Sequence, residues 1–215
     1  MTFMNQEKVR IFNDNWQQYD LWFEKHKQLY QSELKALQRL IPSSGMGLEI
    51  GVGTGRFAES LAVKFGLDPS FKMLKLAKKR RIKVVQGEGE SLPFKNETFN
   101  FVLIVLTVCF VSKPLQVFKE ALKVLKKGGV LILAIIDRKS PWGHYYIAKA
   151  AQSKFYKAAY FFSSHQIISL LTSAGGEVKQ IVQTLRQPPP DILQIEEPKP
   201  GFGQGGFVVF KTIKR

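Results

Sequence analysis

The chain has one cysteine in 215 residues, Cys109, so no internal disulfide framework exists and a reducing compartment is implied. It also lacks any long hydrophobic run. The longest apolar stretch, Phe101 to Val111, is too short to cross a membrane and reads as a buried strand. Its first residues, Met1-Thr2-Phe3-Met4-Asn5-Gln6-Glu7, do not read as a secretory signal, so none is expected. There is no internal repeat. Acidic residues are scarce: 17 Asp and Glu stand against 32 Lys and Arg, a net charge of +15. These absences predict a soluble cytoplasmic protein without a membrane partner, a monomer or homodimer. The basic excess is densest from Lys72 to Lys83. It reads as a nucleic-acid patch or as the solvated, dipole-compatible end of a helix. No aromatic residues interleave with the late charges, which favours the helix.

What the chain does have is a glycine turn. Leu48-Glu49-Ile50 reads as a short apolar strand, and Gly51-Val52-Gly53-Thr54-Gly55 runs from it into a helix-compatible stretch. Glycine at alternate positions permits positive φ and removes the Cβ atoms that keep a ligand off the backbone. The spacing excludes two common occupants. A dinucleotide fingerprint needs a third glycine where Arg56 stands, and a phosphate loop needs Lys followed by Ser or Thr.

The rest of the chain alternates. Residues 5–41 carry apolar and aromatic residues at helical spacing. Strands are predicted at 47–50, 63–67, 82–86, 101–107 and 130–136, with helices between them, one from Lys113 to Lys126 stopped by Gly128-Gly129. Residues 138–165 are rich in aromatics. A helix over Ser164–Ser173 follows, then strands at 177–185 and 207–213 joined by a Pro/Gly-rich loop too short for a helix, so these two pair antiparallel. The fold class is α/β: a doubly wound, seven-stranded sheet, mostly parallel, with helices on both faces. At this length it forms one domain. Its parts are a helical cap (1–45), a core (46–137), an aromatic insertion or lid (138–165), and a closing helix and hairpin (166–215).

The pattern Glu49-x-Gly51-x-Gly53-x-Gly55 resembles motif I of class I S-adenosylmethionine (SAM) dependent methyltransferases. Gly66-Leu67-Asp68-Pro69-Ser70, Gln86-Gly87-Glu88-Gly89-Glu90 and Leu125-Lys126-Lys127-Gly128-Gly129 are similar to that family's later motifs, in order. Tyr19 to Phe23 resembles the N-terminal segment of its small-molecule (type 11-like) branch. The resemblance implies a Rossmann-like fold and SAM as cofactor. Gly51, Gly53 and Gly55 would then face its amino-acid end and ribose, and Glu49 would orient the turn and complement the ammonium. Asp68 suits a vicinal diol, because a carboxylate accepts two hydrogen bonds; alternatively it caps a helix with Pro69 at the first position. Met73 would pack on adenine, Glu88 and Gly89 would meet its polar edge, and Thr107 and Val108 would touch the methionine part.

The acceptor is less defined. A small molecule methylated on N, O or C by in-line displacement fits the branch. Tyr19, Trp22, Phe23, His26, Trp142, Tyr145 and Tyr146 are candidate acceptor-binding residues, and His144 is the candidate base because it lies in a polar, turn-like segment. No metal is expected, since the end of strand four supplies no carboxylate. Cys109 reads as a small buried apolar residue rather than a nucleophile. The +15 charge keeps an RNA or protein methyltransferase as an alternative. The lack of an obvious base keeps a non-catalytic SAM-binding protein as another.

Overall fold

The computed structural model describes residues 3–214, with side chains from Gln6 onward; Met1, Thr2 and Arg215 lie outside it. Alternate residues of the central strands decide its layers. Along β4 (Phe99–Val105), Phe101, Leu103 and Val105 join one apolar cluster, and Val102 and Ile104 join another. Along β5 (Leu125–Ile136), Ile132 and Ala134 join the first and Leu131 and Leu133 the second. A strand apolar on both faces must be covered on both. Helices α3 (Lys27–Gln38), α4 (Arg56–Ser60) and α5 (Phe71–Lys79) cover one side; α6 (Pro114–Val124) and α8 (Ser164–Ser173) cover the other.

The sheet order is β3-β2-β1-β4-β5-β8-β6-β7. Strands β1 (Gly47–Ile50), β2 (Phe65–Asp68), β3 (Lys83–Gln86), β4 and β5 are parallel. β8 (Phe207–Lys214) lies antiparallel between β5 and β6 (Gly176–Thr184). The α/β class, mixed sheet and closing hairpin match the sequence reading, but the sheet has eight strands, not seven. The extra one is β7, only Lys199–Pro200, on the edge of β6. It sits in the segment expected to be loop, and an edge position tolerates its proline.

Three differences have local causes. The helix expected to reach Lys126 ends at Val124, because Leu125 already pairs with Phe99. Gly128-Gly129 therefore lies within β5 instead of stopping the helix. β4 ends at Val105, not Thr107: the Thr107 hydroxyl donates to the Val105 carbonyl at 2.9 Å, and a 3-10 turn (Val108–Phe110) follows. The N-terminal helical region is three helices, α1 (Phe3–Asp14), α2 (Trp16–Lys25) and α3. Asn15 turns its side-chain amide back onto the Ile11 carbonyl. His26 stacks on Trp22 at 4.6 Å, and its Nδ1 meets the Trp22 carbonyl at 2.9 Å. Both side chains compete with the helix for its own hydrogen bonds. Among the described residues, no helix is long and apolar enough to cross a membrane.

Candidate active site

The glycine turn sits at the carboxyl end of β1. Gly51 has φ +74°, and a Cβ there would fall 2.3 Å from the Thr107 side chain. Gly53 has φ +52°, and its Cβ would reach the Tyr19 ring at 3.5 Å, an ordinary contact. So Gly51 is required by packing and Gly53 chiefly by its backbone. The Gly51 and Val52 amides both donate to the Leu67 carbonyl, which fastens the turn to β2. The Gly53 amide donates to Asp68 Oδ2 at 2.9 Å, and the Ser70 amide to Asp68 Oδ1 at 2.8 Å. Asp68 therefore links both loops. It is not a helix cap: Ser70 caps α5, accepting from the Met73 amide at 3.4 Å. Burial pushes the Asp68 carboxyl up to about 6, against the pull of the two amides.

One cavity of about 380 Å³ opens beside this turn. Gly51, Gly53, Asp68, Pro69, Met73, Glu88 and Gly89 line one half; Thr107 and Val108 also border it. Tyr19, Trp22, Phe23, Tyr146, Tyr156 and Phe161 line the aromatic half. Its position at the carboxyl ends of parallel strands is where open α/β sheets bind ligands. The volume is in the range of small-molecule sites, about 300–1,000 Å³. Phe12 forms part of the wall, touching Tyr19, Phe110 and Phe155, and Lys8 Nζ donates to the Phe110 carbonyl at 3.0 Å.

Six expected residues stand elsewhere. Gly55 has a packing role: a Cβ would fall 2.5 Å from Ile82. Glu49 is buried behind the turn, its Oε2 without a partner, and burial raises its carboxyl well above the ordinary range, with the Ala58 amide opposing. His26 forms the joint between α2 and α3. Trp142 is a core residue, 1% exposed, donating its indole N–H to the Gln187 carbonyl at 2.8 Å. Tyr145 is half-buried and bonds Lys149. His144 is exposed on α7 (Pro141–Lys149) and does not line the cavity, so no contact with an acceptor is supplied for it. Burial pushes the Cys109 thiol up to about 12, so it stays protonated at neutral pH.

Glu33 is a cavity residue that sequence reading passed over. It is fully buried on α3 and stands in the cavity wall. Its signal was available: it lies four residues from both Leu29 and Leu37, on the apolar stripe of that helix.

The aromatic roof is held down by ions. Arg56, the residue that excluded a dinucleotide motif, makes two hydrogen bonds to the Asp20 carboxylate, at 2.9 and 2.6 Å, and a third to Glu24 at 2.5 Å. Arg80 bonds Asp20 at 3.1 Å and the Thr54 carbonyl at 2.7 Å. Burial alone would raise the Asp20 pKa, but hydrogen bonds, led by that from Arg56, and the Arg80 charge outweigh it and bring the group to about 2. A lowered carboxyl stabilises the fold above its unfolded pKa and loses that contribution as pH falls toward 2. Asp20→Asn removes the charge that pairs both arginines. The expected destabilisation is roughly 1–3 kcal/mol, between exposed and buried ion-pair values. Thermal melting checks it; a deficit that persists at pH 2 would argue against the ionic origin.

A doubly wound sheet with an inserted antiparallel β8, carrying a glycine turn and an acidic β2 end on one cavity, defines the class I methyltransferase fold. A family described as a methyltransferase domain matches residues 48–133. A SAM-dependent methyltransferase of Thermotoga maritima, described as a possible histamine N-methyltransferase, is 44% identical. Its structure covers 97% of this chain and 100% of its own, with a TM-score of 0.93. An uncharacterised protein of Methanocaldococcus jannaschii is 43% identical over 206 residues, 96% of this chain and 100% of its own. A demethylmenaquinone methyltransferase of Renibacterium salmoninarum is 36% identical over 93 residues, 40% of this chain and 39% of that protein. The chain belongs to the SAM-dependent methyltransferases: it is an enzyme of that family, and SAM is its cofactor.

Proposed function

We propose that this enzyme methylates a small molecule held in the aromatic half of the cavity. The observation that carries this reading is the continuity of one cavity from the glycine turn and Asp68 to Tyr19, Tyr146, Tyr156 and Phe161. The residues of the first half fit SAM. Asp68 is buried with each oxygen accepting one amide, and each keeps a lone pair for a ribose hydroxyl. Met73, 1% exposed, offers an apolar face to adenine beside Glu88 and Gly89. Gly53 lets the ligand approach the backbone. Glu49, buried outside the cavity lining, orients the turn from behind. Thr107 and Val108 meet the methionine part.

Bound there, SAM supplies a methyl group on a sulfonium that is already a good leaving group. The chain's task is to align the acceptor and exclude water. Tyr19 and Phe23 from α2 and Tyr146 from α7 form apolar walls suited to a flat or short acceptor. The description of the Thermotoga maritima relative supports a small amine, and that of the Renibacterium salmoninarum relative supports a quinone acceptor. Lys72, Lys75, Lys78 and Lys79 are exposed on α5 and line no part of the cavity, which weighs against RNA. Incubation with methyl-labelled SAM tests the reading. Label is expected on members of a panel of small amines, phenols and quinols and absent from total RNA; label on RNA alone would overturn it.

The Asp68 pKa sets a pH dependence for the cofactor half. Above about 6 the carboxylate is ionised and accepts from the diol; below it a proton occupies one acceptor site. SAM affinity is expected to be flat from pH 7 to 8 and to fall toward tenfold per pH unit below about 6. Stability of the free enzyme runs the other way. Asp68 is raised on folding, so its contribution is greatest below the unfolded pKa and declines as pH rises toward 6. Calorimetry across this range checks both signs.

A further inference from the structure

Glu33 presents a problem that SAM binding does not solve. It is 0% exposed, and neither carboxylate oxygen has a hydrogen-bond partner among the described residues. No ion pair to it exists among the described residues. The groups that sense its charge are phenols: Tyr19 from α2, Tyr30 on its own helix, Tyr146 from α7 and Tyr156. Burial without compensation raises its carboxyl well above the ordinary range. Such a group lowers stability, and a packing role would be served better by leucine or methionine. Yet it stands in the wall of the cavity, as do Tyr19 and Tyr146.

We propose that Glu33 is the acceptor-binding carboxylate, which selects an amine and takes its proton during methyl transfer. This rests on the methyltransferase reading of the cavity above. Aromatic walls attract an ammonium through their ring faces, and a buried carboxylate gives it a charge-assisted hydrogen bond. The amine enters as its ammonium, and its charge favours the Glu33 carboxylate, whose proton leaves to solvent as the pair forms. For transfer, one N–H proton moves to the Glu33 carboxylate, and the freed nitrogen lone pair forms the N–C bond. The S–C bond breaks as this happens, and its electron pair stays on sulfur. The products are a methylated ammonium, protonated Glu33 and S-adenosylhomocysteine; the net charge of +1 is unchanged. A group whose proton affinity is already raised suits this exchange. Glu33 thus occupies the role that sequence reading gave to His144.

The test uses the whole enzyme saturated with S-adenosylhomocysteine, titrated calorimetrically with 2-phenylethylamine and with its uncharged counterpart 2-phenylethanol. Wild type is expected to prefer the amine. Glu33→Gln is expected to lose about tenfold or more of amine affinity while alcohol and S-adenosylhomocysteine affinities hold. Should glutamine fail to fold in that apolar setting, Glu33→Leu carries the same expectation. Equal binding of amine and alcohol, binding of neither, or an amine preference kept in the variants would overturn the assignment. If wild type binds no S-adenosylhomocysteine, the methyltransferase reading of the cavity fails instead. A purely structural Glu33 would alter melting and leave the amine preference untouched.

Discussion

Asp68→Ala is expected to lower SAM affinity at pH 7.5 about a hundredfold or more, with a melting deficit alongside. Each ribose hydroxyl donating to a carboxylate contributes about 1.5–3 kcal/mol, and alanine removes both bonds. The substitution also strips the acceptors from the Gly53 and Ser70 amides, which now bond Asp68 at 2.9 and 2.8 Å. A buried donor left unpaired costs about 1–3 kcal/mol, so the turn itself loosens. Asp68→Asn separates the two effects. It keeps the shape and one acceptor oxygen, so its affinity should fall between wild type and alanine, with a smaller change in melting. Calorimetry and thermal melting together check this. A folded Asp68→Ala that binds SAM as wild type does would remove the ribose role.

Trp142→Ala is expected to destabilise the enzyme by about 3–5 kcal/mol, the range for an aromatic core truncation. For a chain of this length that is a fall in melting temperature of roughly 6–20 °C. The indole is 1% exposed and donates to the Gln187 carbonyl. It fills the space beside Gly206, where an added Cβ would fall 2.5 Å from the Trp142 Cβ and 2.6 Å from its ring. It also supports Tyr145 and Tyr146 at 6.2 and 6.0 Å between ring centroids. Tyr146 lines the aromatic half of the cavity, so turnover should fall at temperatures where the variant is still folded, with SAM affinity held. Trp142→Phe keeps most of the volume and should recover most of the melting temperature. An unchanged melting curve for alanine would contradict the core role.

The glycine-turn side of the cavity was legible because its demands fall on the backbone. A turn with φ of +74° at Gly51 and +52° at Gly53 leaves glycines in the chain, and a carboxylate at the end of β2 leaves an aspartate at a fixed distance from them. Even so, motif membership did not reveal role: Gly55 belongs to the pattern but serves packing against Ile82. The aromatic half was less legible because many aromatics crowd residues 138–165 and only helical phase distinguishes them. With about 100° per residue, His144 lies roughly 200° around α7 from buried Trp142, which carries it to the outside. The turns around Tyr156 have no such periodicity. Asn15 and His26 break the N-terminal helix without glycine or proline, so no sequence signal marked the joints. Glu33 did leave a signal, a carboxylate on an apolar stripe, but only the structure shows that nothing among the described residues pairs with it.

The most direct measurement is a crystal structure with S-adenosylhomocysteine bound. The ribose hydroxyls are expected on the Asp68 carboxylate, adenine against Met73 beside Glu88 and Gly89, and sulfur facing the aromatic half that contains Glu33. A ligand bound away from Asp68, or turned so that its sulfur faces away from Tyr146 and Glu33, would contradict it.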